Sequence, residues 1–363
     1  MKKGFLFISV ALILMVLPLV SACADSPQPG QVIKLTYSNF FPATHLNSIL
    51  AAQWCDEIKT QTKGAVEITY YPGGTLTPAP KIYDGVVTGI SDIGMSACSY
   101  TVGRFPASEA IDLPHGYPNG WVATQVANDY YKKFKPKELD DTHLLYFHAH
   151  GPGVLLTVKK PVNTLEDIKG LVIRSTGVGA QIAEALGAKG YAAAQGEAYE
   201  LMSKGTIDGS YTPLEVLKGW KQAEVVKYVT NCYKMGYTTA FFVTMNKAKW
   251  DSLPGSVKDA FTKASESWIE KHAKVWSYYD KVAVDYFLTF PDRKVIQLSD
   301  SEMAKWVAAA KPLIDNYLKD KTAKGLPAAD YEKYLVEQTK SWSSKAPSDK
   351  ECVDWVEKNL QPK

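Results

Sequence analysis

A chain of 363 residues with a formal net charge of +3, 46% hydrophobic and 22% charged residues, has an ordinary globular composition and room for two domains. Charge so close to balance lacks the concentrated basic surface that nucleic acid demands, so no nucleic-acid partner is expected. The 21 tyrosines and 9 tryptophans are unusual, and they raise an aromatic-rich cleft beside plain core packing.

At the N-terminus Lys2 and Lys3 precede an apolar run from Gly4 to Val20, interrupted by Pro18. The run is short for a membrane span and is followed by small residues, the pattern of a secretory signal over residues 1–22. Val20-Ser21-Ala22-Cys23 resembles a bacterial lipobox, in which the cysteine becomes the lipid-modified first residue; the alternative is an ordinary signal cut nearby. Residues 23–30 are then a polar tether. The expectation is a periplasmic or extracytoplasmic protein with a lipid anchor at Cys23 in a bacterial membrane. Cys55, Cys98, Cys232 and Cys352 are widely spaced without a CxxC pair, so they give zinc no support. Buried thiols are expected, with one disulfide left open.

Val32–Asn39 reads as a strand, and Phe40 to His45 as the loop after it. Leu46, Ile49, Leu50, Trp54 and Ile58 recur at helical spacing until Gly64. Val66, Ile68 and Tyr70 alternate as a second strand. A helix over 80–88 and a buried strand over 92–96 follow. This βαβ alternation predicts an α/β domain with ligands outside the carboxyl ends of its strands. Phe41, His45, Ala97 and Tyr100 are therefore candidates for one site. A helix over 121–135 and a strand over 143–150 lead to Gly151-Pro152-Gly153, where a hinge is expected. His148 and His150 share a strand face, but no third metal ligand is visible, so no metal is expected.

Beyond the hinge, Thr164 to Asp167 can form a capping box. Strand 170–175 delivers Arg174, helix 178–186 follows, and helix 195–204 ends at Gly205. Ser210 to Pro213 then re-enters the cleft. Strands are expected over 225–229 and 237–245. A helix starting around Asp251 to Pro254 runs to about Phe287, ~50 Å at ~1.5 Å per residue, long enough to brace both domains. A strand over 293–298, a helix opened by a Ser299/Glu302 capping box and two amphipathic segments finish the chain. Trp220, Trp250 and Trp268 read as packing.

Three runs carry a resemblance: IKGLVIRS ending near Arg174, the Leu186 to Ala188 tripeptide LGA, and Glu197 to Pro213, EAYELMSKGTIDGSYTP. In order and spacing they resemble the DctP-type solute receptors of tripartite ATP-independent periplasmic (TRAP) transport systems. DIGM from Asp92, GRFP from Gly103 and KAKWDSLP from Lys247 are similar to further family segments. The resemblance implies a two-domain, periplasmic-binding-protein-like (type II-like) α/β fold with a hinge and a long domain-spanning helix. The domains would be 31–151 with 238–279, and 152–237 with 280–345, followed by a helical extension over 346–363. It implies that Arg174 pairs with a ligand carboxylate, that Gln195 stands at a ligand-facing position, and that a TRAP permease receives the ligand.

The departures narrow the ligand. The family's E-N-P ending is replaced by Tyr211-Thr212-Pro213, so Thr212 can hydrogen-bond with less reach. No second arginine follows the hinge, and the first-domain loops are uncharged. A monocarboxylate with an apolar or aromatic body is expected, without a cofactor. Two rivals stand beside this reading. One is a receptor serving a sensor or another importer. The other is a secreted enzyme, which no GxSxG elbow, metal triad or phosphate loop supports.

Overall fold

The computed structural model describes residues 32–360, so the expected signal segment, the tether and Cys23 lie outside the described residues. Its strands in chain order are β1 (Ile33–Asn39), β2 (Val66–Tyr71), β3 (Ile93–Ala97), β4 (Thr142–Ala149), β5 (Gly153–Thr157), β6 (Val172–Ser175), β7 (Lys189–Ala192), β8 (Gly209–Pro213), β9 (Tyr228–Asn231), β10 (Ala240–Asn246) and β11 (Lys294–Gln297). They form two sheets, ordered β2-β1-β3-β10-β4 and β11-β9-β5-β8-β6-β7. Each sheet with its helices makes one lobe of a two-domain α/β fold.

The parallel pairs follow from helical crossovers, which parallel strands require. Helix Leu46–Gln61 joins β1 to β2, and β1 pairs in parallel with β2 and β3. In the second lobe, helix Gly177–Ala185 joins β6 to β7, and helix Gln195–Ser203 leads into β8. The chain passes from the first lobe to the second at residues 150–152 and back between β9 and β10; helix Gly255–Leu288 later carries it across again to β11. The second crossing inserts β10 antiparallel between β3 and β4, with Phe241 opposite Ala97 and Ala240 opposite Ala149.

The brace is helix Gly255–Leu288, 34 residues long. Its Phe261, Trp268 and Trp276 meet Trp54, the Leu50 carbonyl and His148 of the first lobe, whereas Ala283 and Phe287 belong to the second lobe's core. It starts later than its sequence pattern implies. Asp251 and Ser252 end a separate short helix, Lys247–Ser252, capped by Asn246. Pro254 disfavours helix at the residue before it, so Leu253 is extended and the long helix begins afresh.

Three other expectations are corrected. Strand β9 lies three residues beyond the expected start at Val225, because its partners on β5, Leu155 to Thr157, pair with Tyr228 to Thr230. Ser299 accepts from the Glu302 N–H at 3.2 Å, but the Glu302 carboxylate turns away to Leu165 N and Lys305, so only half of that box forms. The box at Thr164 and Asp167 is complete. Helix Ala328–Ser343, expected within the second domain, packs on the first-lobe helix Gly120–Phe134 instead. Tyr331 meets Tyr130 and Phe134 edge-on at 5.3 and 4.8 Å, and Trp342 meets Trp121. Burial of these rings outweighs chain proximity to β11. Cys55, Cys98, Cys232 and Cys352 are all buried free thiols. No described helix is long and apolar enough to cross a membrane.

The first crossing is tightly packed. A Cβ on Gly151 would lie 1.9 Å from Asp280 Oδ2 of the long helix, so no larger residue fits there. Asp280 Oδ2 accepts a long bond from Gly120 N at 3.4 Å, while Oδ1 is buried without a partner. Burial therefore pushes the Asp280 carboxyl well above the usual carboxylate range. The folded state favours the protonated acid, so its contribution to stability falls as pH rises from the unfolded pKa through the raised one. Asp280→Asn removes this loss and keeps the shape. Its melting temperature is expected to exceed wild type, with a gain larger near pH 8 than near pH 5; a pH-independent or negative difference in scanning calorimetry contradicts this account.

Candidate functional site

The carboxyl ends of the parallel strands in the two sheets face each other across a cleft. From the first lobe come Phe40 and Phe41 after β1, Ala97 at the end of β3 with Tyr100 beyond it, His150 after β4, and Phe241 on β10. From the second come Arg174 on β6, Gln195 opening its helix, and Tyr211, Thr212 and Glu215 on and after β8. Together with Trp220 and Trp276 they line a cavity of about 410 Å³, its mouth included.

Arg174 is placed by strand alternation: Ile173 enters the core, and Arg174 takes the other face and reaches past the end of β7. It is only 3% exposed. Its Nε and Nη2 donate to the Ala193 carbonyl at 3.0 and 2.8 Å, and Nη1 donates to Gln195 Oε1 at 2.6 Å. Every one of these acceptors is neutral. Among the described residues no carboxylate lies within ion-pair distance of Arg174. The five N–H groups of a guanidinium exceed the three bonds made here, which leaves two donors over. A buried cation of this kind needs an anion.

The polar groups around it support a carboxylate. Gln195 N–H donates to the Tyr100 hydroxyl at 3.1 Å, so Tyr100 caps this helix from the opposite lobe. Its own O–H remains available to donate. Burial raises the Tyr100 pKa, while Arg174 pulls it the other way. Thr212 Oγ1 lies 3.5 Å from Gln195 Oε1. His150 also lines the cavity, but burial pulls its pKa down to about 4. It is neutral near pH 7 and adds no second cation.

The opposite wall is aromatic. Phe40 stacks on Phe41 at 4.4 Å and on Trp220 at 6.1 Å, and Phe241 stacks on Trp276 at 5.4 Å. Tyr100 meets Phe40 edge-on at 5.5 Å. Tyr211 stacks on Tyr237 at 4.9 Å. Trp220 is thus part of the cavity wall rather than plain packing. Trp250 and Trp268 do pack away from the cavity, against His143 and the Leu50 carbonyl.

Of the candidates from sequence, the structure brings Arg174, Gln195, Thr212, Tyr211, Tyr100, Phe41 and Ala97 to one cavity. His45 is not among the lining residues. It sits behind Phe41, rings 4.3 Å apart, and its Nε2 meets Glu215 Oε1 at 2.6 Å across the lobes. The reason is local: His45 caps helix Leu46–Gln61, with Nδ1 accepting from Asn47 N, and this turns the imidazole inward. Glu215 went unread in sequence, although an acidic residue in the apolar run PLEVL is a detectable signal. Phe241 and Trp276 could be found only from the β10 register and the course of the long helix. Among the described residues there is no group of three potential metal ligands. The arrangement can bind an anion, orient a flat apolar body and exclude water.

The chain matches the family described as bacterial extracellular solute-binding protein, family 7 (DctP), over residues 37–320. The 2,3-diketo-L-gulonate-binding periplasmic protein YiaO of Escherichia coli is 25% identical over 254 residues, which span 68% of this chain and 75% of its own. A TRAP periplasmic solute binding protein from Desulfovibrio salexigens is 30% identical, with a TM-score of 0.76 over 87% of this chain and 98% of its own. A marine metagenome TRAP solute binding protein specific for aromatic acid ligands, in complex with metahydroxyphenylacetate, is 26% identical, with a TM-score of 0.80 over 85% of this chain and 99% of its own. Two lobes around a cleft, a domain-spanning helix and a match over most of the sequence agree: the chain belongs to the DctP family of bacterial extracellular solute-binding proteins.

Proposed function

We propose that this receptor binds a small monocarboxylate with an apolar or aromatic body and delivers it to a TRAP permease. The observation that carries the reading is Arg174: a buried guanidinium, held by neutral acceptors, with donors to spare. Its planar fork matches a carboxylate and stays charged in a closed site. The wall of Phe40, Phe41, Trp220 and Phe241 favours a ring over a polyhydroxylated chain. The aromatic-acid specificity of the marine metagenome protein supports the same class.

The magnitudes require both parts. A charge-assisted hydrogen bond nets about 1.5–3 kcal/mol. Burying ~150 Å² of a ring adds roughly 4 kcal/mol at ~25 cal/mol/Å². Micromolar affinity needs about 8 kcal/mol, after ordering costs. Neither the arginine nor the wall reaches that alone. Several contacts tie the lobes in the arrangement described: Tyr100 to Gln195, His45 to Glu215, and Ser99 to Thr176 at 3.4 Å. The ligand would sit between them, with the lobes opening about the segments at residues 150–152 and between β9 and β10. The lipid anchor rests on Val20-Ser21-Ala22-Cys23 in the sequence.

Arg174→Ala is expected to weaken carboxylate binding at least about tenfold, the loss of one charge-assisted contact. Titration calorimetry with circular dichroism as a folding check tests this, and unchanged affinity in a folded variant would remove the anchor. In a thermal-shift screen, benzoate should raise the melting temperature more than succinate does. The reverse ranking contradicts the apolar reading of the cavity. Expressed in a bacterium, the wild-type protein should fractionate with membranes and Cys23→Ala with the soluble fraction; identical fractionation of the two rejects the lipid anchor.

A further inference from the structure

A second charge in the cavity is not used by carboxylate binding. Glu215 lines the same space as Arg174 and is 2% exposed, yet it is not within ion-pair distance of that arginine. It is held by His45 of the other lobe, Nε2 to Oε1, at 2.6 Å. Gly219 makes this approach possible, since a Cβ there would lie 2.5 Å from His45 Nε2.

The protonation of His45 follows from its hydrogen bonds. Nδ1 accepts from the Asn47 backbone N–H at 3.2 Å, and a nitrogen that accepts carries no proton. The proton of the neutral imidazole is therefore on Nε2, which donates to Glu215. Glu215 Oε1 is thus met by a ring N–H donor. Only Oε1 is engaged; Oε2 makes no hydrogen bond to the described residues. A carboxylate oxygen with no hydrogen bond of its own, beside an apolar wall, favours any ligand that brings it a donor.

We infer that Glu215 is a specificity-determining contact that selects acids bearing a hydroxyl on the apolar or aromatic body, away from the carboxylate. This rests on the reading that Arg174 takes the carboxylate. A hydroxyl needs one acceptor, which the second Glu215 oxygen provides. An ammonium carries three donors and needs more acceptors than this end of the cavity offers, where the neighbours are Phe41, Val216 and Trp220. His45 is a positioning residue: it fixes one oxygen and so aims the other.

Calorimetric affinities of wild type for benzoate, the three hydroxybenzoates, the matching methoxybenzoates and 3-(aminomethyl)benzoate test the inference, with Glu215→Gln as the near-isosteric variant. The best hydroxybenzoate is expected to bind at least about tenfold tighter than benzoate, one charge-assisted hydrogen bond. Its methoxy counterpart, which can only accept, should lose that gain. In Glu215→Gln the hydroxyl preference should shrink to about threefold or less. Equal wild-type affinity for benzoate and every hydroxybenzoate overturns the inference, and so does a preference that survives in Glu215→Gln. Tighter binding of the aminomethyl acid than of any hydroxybenzoate overturns the choice of hydroxyl. If benzoate itself does not bind, the aromatic monocarboxylate reading falls and this inference with it. The wild-type series decides the matter even if the variant does not fold.

Discussion

A guanidinium removed from water, with no carboxylate of the described residues paired to it, is the constraint around which this cleft is built. Desolvating such a charge costs several kcal/mol even after relaxation. The cost is tolerated because backbone and amide dipoles meet three of the N–H groups, Ala193 twice and Gln195 once. Those acceptors hold the group still without neutralising it. The remainder of the site is consistent with that choice. His150 is kept neutral by burial, so it does not compete for an anion. Tyr100 reaches across to the helix that carries Gln195, so the second lobe's anchor is braced by the first. A fixed cation with donors to spare would need little rearrangement to take up an anion.

Closure depends on contacts that neither lobe can make alone. The ring wall belongs mostly to the first lobe, through Phe40, Phe41 and Phe241, whereas the arginine, Gln195 and Glu215 belong to the second. A ligand that touches both favours the closed form by the difference between its affinities for closed and open states, and by no more than that. The His45–Glu215 contact has the same character: it exists only when the lobes are together.

Much of this was legible from residues alone. Strand–helix alternation placed most of the elements, and Arg174 at a strand end was visible from the pattern around it. The aromatic excess pointed to the wall without naming its members. What was not legible has a common cause. Trp220, Glu215 and the true place of His45 depend on how closely the lobes approach. Phe241 and Trp276 depend on a strand and a helix that arrive about a hundred residues or more after the first lobe's other parts. Local periodicity carries no information on either. Helix Ala328–Ser343 shows the same limit, since its aromatic face selects a distant partner over its sequence neighbours.

The position of β10 bears on how the molecule is made. Until residues 240–246 exist, β3 and β4 cannot pair with the strand that separates them, and both present open backbone edges. The sheet that starts first along the chain is therefore completed only after five of the other sheet's six strands, β5 to β9, have been synthesised. Such long-range pairing slows folding. It also ties the lobes into one folding problem, because neither half of the sequence, cut at the first crossing, contains a full first sheet.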